Sequence, residues 1–205
     1  MGKPNKIDSS GKSIVDILKG RNEELYSTDY GKVHDYYISD AIGDPSEYTD
    51  WFQEIRSARQ TDVIRIHINS PGGDLFTAIQ FLQVLRETRA HVITIVEGAC
   101  MSAATIIFLT ADEFHVVPHS MFMFHNYSGG SFGKGGEMFD QISHQRKWSE
   151  KIFEDVYENF LTKTEINSLL DNKDIWMDSD EVGERLKKRA LIEKKKIDSV
   201  KKNRK

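Results

Sequence analysis

Ser102 sits where a strand-like apolar run, VITIV at 92–96, gives way to small and apolar residues, AATIIFLTA at 103–111. A strand that turns sharply into a buried helix presents the first side chain of the turn and the neighbouring backbone N–H groups at one point. Such orphan amides suit a developing oxyanion, which makes Ser102 a candidate nucleophile. A serine among alanines is equally a common helix cap, so the reading depends on partners elsewhere. To attack a carbonyl near neutral pH a serine needs a base, which histidine supplies, and a carboxylate that fixes the tautomer and stabilises the imidazolium. His67, His91, His115, His119, His125 and His144 are the candidate bases. A second suggestive stretch is INSPGG at 68–73, where a glycine pair lets main-chain N–H groups face a ligand with no side chain in the way. That suits an oxyanion donor and also strand-like pairing with an extended peptide.

The elements that must position these groups can be read from periodicity. Val33 to Ser39 reads as a first strand. Asp44, Pro45 and Glu47 form a capping-box signature ahead of Tyr48, Trp51, Phe52 and Ile55, a core stripe at helical spacing. Ile64, Ile66 and Ile68 alternate in strand period until SPGGD breaks the pattern. From Asp74 the period returns to 3.6, with Leu75, Ile79, Leu82 and Leu85 expected on one face, and a strand comes next at 91–96. Strand, turn, helix and strand make a βαβ unit, and the order repeats through a helix at 102–111 and strands at 114–117 and 121–124. The alternation predicts a largely parallel sheet flanked by helices, with ligand groups at the carboxyl ends of the strands, where Gly73 and Ser102 both fall.

Residues 128–137, SGGSFGKGGE, carry five glycines but neither GxGxxG after a strand nor a GKS or GKT sequence, so nucleotide binding is rejected. A long helix is expected over roughly 137–161, with Phe139, Ile142, Phe153, Val156, Tyr157 and Phe160 among its apolar positions. It is long enough to protrude and pack on another subunit. A short helix runs from Thr164 to near Leu170, then 171–177 reads as a connector, then a final helix starts at about Asp180.

Composition bounds the rest. A chain of 205 residues with 39% hydrophobic content suits one sizeable domain. The division expected is a flexible N-terminal segment over 1–32, a core domain over 33–193 and a basic tail over 194–205. No apolar run is long enough to span a bilayer, and the polar N-terminus has no apolar signal region, so a soluble, cytoplasmic protein is expected. The single cysteine, Cys100, excludes an internal disulfide or a cysteine-based metal cluster. From Lys187 onward ten basic residues face two acidic ones, leaving 18 basic and 30 acidic in the first 186. No aromatic residue interleaves that basic run, so it reads as a solvated, partly helical tail rather than a nucleic-acid site.

INSPGG, then 29 positions from Gly73 to Ser102, then His125 in MFMFHNY resembles the proteolytic subunit of the Clp protease, ClpP, and its phage-associated relatives, over about 37–193. The resemblance implies an α/β fold, the ClpP/crotonase-like superhelix of repeated ββα/βαβ units, with 128–137 and the long helix as a protruding handle. It implies a catalytic triad of Ser102, His125 and Asp174, the last in NKDIWMDSDE, and oxyanion donors in the amides of Gly73 and Ala103. Gly72, Asp74 and Leu75 on one side and Asn126 and Tyr127 on the other become edges for an extended substrate. The function implied is a serine endopeptidase acting on unfolded or extended polypeptide through an acyl-enzyme, without metal or cofactor, in stacked homo-oligomeric rings that an AAA+ unfoldase can feed. Ala103-Ala104 after the serine and the 23-residue step to His125 look more like the phage branch, some members of which mature capsids without an ATPase. A crotonase-type acyl-CoA enzyme, which shares the superhelix, and a non-catalytic scaffold ring are the alternatives.

Overall fold

The computed structural model describes residues 31–203. The lead-in expected over 1–32, with its apolar patch at Ile14, Val15, Ile17 and Leu18, lies outside the described residues but for its last two. Six strands, β1 (Val33–Ile38), β2 (Val63–Ser70), β3 (His91–Met101), β4 (Glu113–Val116), β5 (Met121–Phe124) and β6 (Ile175–Asp178), form one sheet. Its order is β1-β2-β3-β5-β6, with β4 also on β3. All pairings are parallel except β5 with β6. The helices are α1 (Thr49–Ser57), preceded by a 3-10 turn at Pro45–Tyr48, α2 (Leu75–Glu87), α3 (Ala103–Phe108), α4 (Gly135–Val156), α5 (Lys163–Leu170) and α6 (Ser179–Asn203).

Ile64, Ile66 and Ile68 are fully buried on one face of β2, as their alternation requires. The Asp44–Glu47 capping box forms, with Asp44 accepting from the Ser46 amide and Glu47 reaching back to the Asp44 amide. It opens the 3-10 turn rather than the α-helix itself. On α2 the buried face is Thr77, Ala78, Phe81, Leu82, Val84 and Leu85, so Leu75 and Ile79 stand at its margin rather than at its centre.

β3 is the hub, and it is longer than its apolar run suggests. Its first half pairs with β4, from Ile93↔Glu113 to Val96↔Val116, and its last residues pair with β5, from Ala99↔Met121 to Met101↔Met123. Between Ile68↔Val96 and Ser70↔Cys100 the register with β2 shifts, because β3 spends four residues where β2 spends two. The Asn69 side chain fills the interrupted ladder by accepting from the Ala99 amide at 2.9 Å. Gly98 permits it, since a Cβ there would stand 2.5 Å from Asn69 Oδ1. Such a bulge bends a strand and re-aims the residues beyond it, here Ser102.

The connector expected over 171–177 contains a strand, β6, whose Phe124↔Ile175 to Met121↔Asp178 pairs close the edge of β5. The short helix begins one residue earlier than expected, capped by Thr162. The final helix runs unbroken through 194–203, so no element boundary separates the tail from the domain. It is pinned by Arg185, which makes a bidentate pair with Glu165 (2.7 and 3.0 Å) and donates to the Phe160 carbonyl.

That pair has a pH signature. The Arg185 guanidinium, followed by Thr162, holds the Glu165 carboxyl at about 2, against an ordinary 4.5. A depressed folded-state value contributes stability fully above the unfolded value and loses it as pH falls. With both groups about a quarter exposed or less, the contribution is of order 2 kcal/mol after allowing for solvent screening. Thermal melting of Glu165→Gln against the parent should show a deficit at pH 7 that shrinks below pH 4.5 and vanishes near pH 2; a constant deficit across that range refutes the assignment.

Candidate active site

The Ser102 Oγ and His125 Nε2 atoms lie 2.5 Å apart. Ser102 has φ 53°, ψ −128°, in the left-handed region that a non-glycine residue adopts only when its surroundings force it. The Ser102 amide donates to the Met123 carbonyl at 2.8 Å, extending the β3–β5 ladder to the turn itself. His125 comes directly after β5, so adjacent strands carry the two side chains to one place. With the imidazole proton on Nδ1, Nε2 accepts from the serine hydroxyl, the arrangement general-base activation needs. As the residue before α3, Ser102 makes no side-chain cap bond, which leaves its hydroxyl to the histidine.

The other candidate bases lie elsewhere. His67 is bound to Glu97 (2.9 Å) and Asp35 (3.3 Å), and His91 and His115 share Glu113. His144 lies on α4 beside Phe76 and Trp148.

The glycine pair supplies the opposite wall. A parallel bridge joins Gly73 to Ile42, in which the Ile42 amide donates to the Gly72 carbonyl and the Asp74 amide donates to the Ile42 carbonyl, both at 2.8 Å. In a parallel pair the residue between two such bonds turns its own N–H and C=O the other way, here toward the serine. Only glycine fits: Gly73 has φ 151°, and a Cβ would stand 2.2 Å from the Ile42 oxygen. At Gly72 (φ 95°) a Cβ would stand 2.6 Å from both Ser102 Cβ and the Met101 oxygen. Gly72→Ala should therefore push the serine turn aside. The left-handed backbone alone costs about 1–3 kcal/mol, and if Ser102 is the nucleophile expected from sequence, its displacement costs about a hundredfold in turnover. Urea unfolding together with peptide hydrolysis checks both, and a variant with parental stability and rate excludes the contact.

Gly73, Ala103, Ser102, His125, Asp74, Leu75, Asn126 and Tyr127 line one cavity of about 290 Å³. That is the small end for ligand sites and suits a side chain better than a large cofactor. Of the expected substrate edges, Gly72 does not line this cavity and Asp74 lines it with its carboxylate already engaged. Gly72 is buried behind Ser102 with its carbonyl already bonded, and the Asp74 carboxylate caps α2 through the Thr77 amide at 2.7 Å. Asp174 is exposed, and its side chain has no hydrogen-bond or ion-pair partner among the described residues, so it is not joined to His125 here. The backbone nonetheless sets it beside the histidine, because it lies one residue beyond the Phe124↔Ile175 pair. Among the described residues no cluster of three or more His, Cys, Asp or Glu side chains is arranged to hold a metal ion.

Phe76, Ile106, Gln145, Trp148, Phe153 and Tyr157 also line the cavity, and sequence reasoning does not single them out as site residues. The long helix, expected to face another subunit, packs its C-terminal part on the domain, with Phe153 and Val156 buried. Trp148, facing Phe76 at 5.5 Å, is the available signal, a large aromatic on an otherwise polar stretch of helix. The Gly-rich 128–134 segment forms no strand.

The profile of the Clp protease family matches residues 48–185. The chain belongs to the Clp protease family. Among Clp relatives, an ATP-dependent Clp protease proteolytic subunit from Leuconostoc citreum is 28% identical over 129 residues, covering 59% of this chain and 62% of that one. The same-named subunit from Bacteroides thetaiotaomicron is 24% identical over 59% of this chain and 56% of its own length. The chain thus spans little more than half the length of these curated Clp relatives. In three dimensions it is similar to a point mutant of ClpP1 from Listeria monocytogenes, with a TM-score of 0.61 at 18% identity over 80% of this chain and 91% of that one. The α/β Clp fold expected from sequence is therefore the one observed.

Proposed function

We propose that this chain is a serine endopeptidase that cleaves extended or unfolded polypeptide through an acyl-enzyme, as a subunit of a ring-shaped homo-oligomer. The observation that carries the reading is the 2.5 Å Ser102–His125 contact on a left-handed turn that opens into the cavity. Ser102 is the nucleophile, His125 the base and then the acid for the leaving amine, and Asp174 the carboxylate that orients His125. The Gly73 and Ala103 amides receive the oxyanion. Leu75 and the backbone around Gly73 offer one edge to a substrate strand, with Asn126 and Tyr127 opposite.

Ring assembly is supported by the N-terminal half of α4 and the segment before it, where Phe132, Phe139 and Ile142 are 98%, 71% and 53% exposed. The reading places the peptidase over 33–193, in the cytoplasm, and among the described residues no helix is long and apolar enough to cross a membrane. The relatives' printed names carry "ATP-dependent". The Ala103-Ala104 pair instead favours a phage-like enzyme working alone. An unfoldase partner would make degradation of a folded protein require ATP; a lone enzyme degrades only unfolded chains.

The decisive experiment is labelling with a fluorophosphonate under conditions where sedimentation shows the assembled form. An adduct on Ser102 that disappears in His125→Ala supports the peptidase. An assembled parent protein that takes no label refutes it, and leaves the crotonase-type and scaffold readings to be tested with acyl-CoA.

A further inference from the structure

The serine turn is braced by a buried pair of hydroxyls that the triad does not use. The Thr105 Oγ1 hydroxyl donates to the Ser102 carbonyl at 2.7 Å, beside the Thr105 amide, which donates to the same oxygen at 2.9 Å. Thr105 Oγ1 and the Tyr157 hydroxyl are also 2.7 Å apart. A hydroxyl has one proton, and Thr105 gives its own to a carbonyl that can only accept, so Tyr157 is the donor between them. Burial pushes the Tyr157 phenol above its ordinary value, which keeps that proton in place. Thr105 is fully buried and Tyr157 nearly so. The Tyr157 ring also packs edge-on against Phe124, the residue before His125, at 5.5 Å. One side chain at the end of α4 thus touches both the helix that follows Ser102 and the strand that precedes His125.

The consequence lies in the peptide plane. The Ser102 C=O and the Ala103 N–H belong to one planar peptide unit, and there is no cis bond in the described chain, so the two point in opposite directions. Two donors holding the carbonyl from the helix side aim the Ala103 N–H at the cavity, which Ala103 lines. Hydrogen bonding at the carbonyl also polarises the unit and strengthens its N–H as a donor. We propose that Tyr157 and Thr105 are positioning residues that lock the Ser102–Ala103 peptide plane, fixing the Ala103 N–H on the carbonyl oxygen of a bound peptide. The proposal rests on the peptidase reading and deepens its oxyanion site.

The test uses the full-length, assembled protein, a fluorogenic peptide and a peptide boronate, whose tetrahedral adduct engages the oxyanion donors. Thr105→Val keeps shape and removes the hydroxyl; it should lower kcat by about ten- to a hundredfold with KM within about twofold, less than outright loss of a donor. Boronate affinity should fall by the same factor as kcat/KM, and Thr105→Ser should recover most of both. Tyr157→Phe should lower kcat about three- to tenfold, and the double variant Thr105→Val with Tyr157→Phe should be no slower than Thr105→Val alone, because Tyr157 acts through Thr105. A parental kcat in Thr105→Val, an equal loss in Thr105→Ser, or additive losses in the double variant overturns the proposal. Should Thr105→Val fail to fold, Tyr157→Phe decides: unchanged kcat and boronate affinity overturn the proposal too. A parent protein that takes no fluorophosphonate label removes the peptidase reading and this one with it. A labelled parent with an equally fast Thr105→Val removes only the brace.

Discussion

Ser102→Ala is expected to reduce peptide turnover by about a millionfold. On the peptidase reading the serine hydroxyl is the attacking group, and it faces His125 Nε2 at 2.5 Å. His125→Ala should cost nearly as much, because a serine without its base is a poor nucleophile. The two act as a unit, so the double variant should be no slower than either single one. The residual activity expected, about a thousandfold or more above water, is what the proposed Gly73 and Ala103 donors and substrate binding would supply. Neither change touches the core, so melting temperatures should move by little. Turnover of a fluorogenic peptide with active-site titration measures the effect. A Ser102→Ala protein retaining more than about a hundredth of the parental rate would exclude Ser102 as nucleophile, and a double variant slower by the product of both losses would exclude a shared role.

Asp174→Asn is expected to lower kcat by about ten thousandfold. The reason is one of register. In the antiparallel β5–β6 pair Phe124 stands opposite Ile175, and continuing that register by one residue would set His125 opposite Asp174. Directly opposed residues in such a pair have Cβ atoms about 5 Å apart, a separation that a carboxylate in another χ1 rotamer is expected to bridge to the imidazole. The same edge is already held by Asn126, whose Nδ2 donates to Asn172 Oδ1 at 3.0 Å. An amide at 174 could occupy the same space but could not stabilise the imidazolium, and it would favour the wrong tautomer. Two nearby carboxylates serve as controls. Asp171 pairs with Arg146 at 3.4 Å, and Asp178 accepts from the Asp180 and Glu181 amides at the start of α6. Losing either should cost stability more than rate. If Asp171→Asn is the silent enzyme and Asp174→Asn stays within tenfold of the parent, the acid has been misassigned.

Much of this arrangement is visible in the sequence because local chemistry and tertiary demand agree. Ile64, Ile66 and Ile68 alternate because one face of β2 is core, and the glycines at 72 and 73 are required by backbone angles and by the atoms that crowd them. The losses occur where one level is silent. β6 is four residues, Ile175–Asp178, with only one of them buried, so neither length nor alternation announces it. Its existence depends on the open edge of β5. The end of β3 is hidden because Glu97 and Gly98 interrupt the apolar pattern at a bulge whose missing partner is the side chain of Asn69. At the site, Ser102 and His125 are legible as residue types, and the structure joins them. The Thr105–Tyr157 bond spans 52 residues between two positions that look like ordinary core, and no local pattern could pair them.

The late place of β6 in the chain bears on when such an enzyme could become dangerous to its maker. Domains generally fold as units, and the strand that closes the edge of β5 and sets Asp174 next to the end of that strand is not available until about residue 178 has left the ribosome. Until then the strand that leads to His125 has a bare flank. On the peptidase reading, a growing chain is inert until that edge is closed, and nascent neighbours are spared.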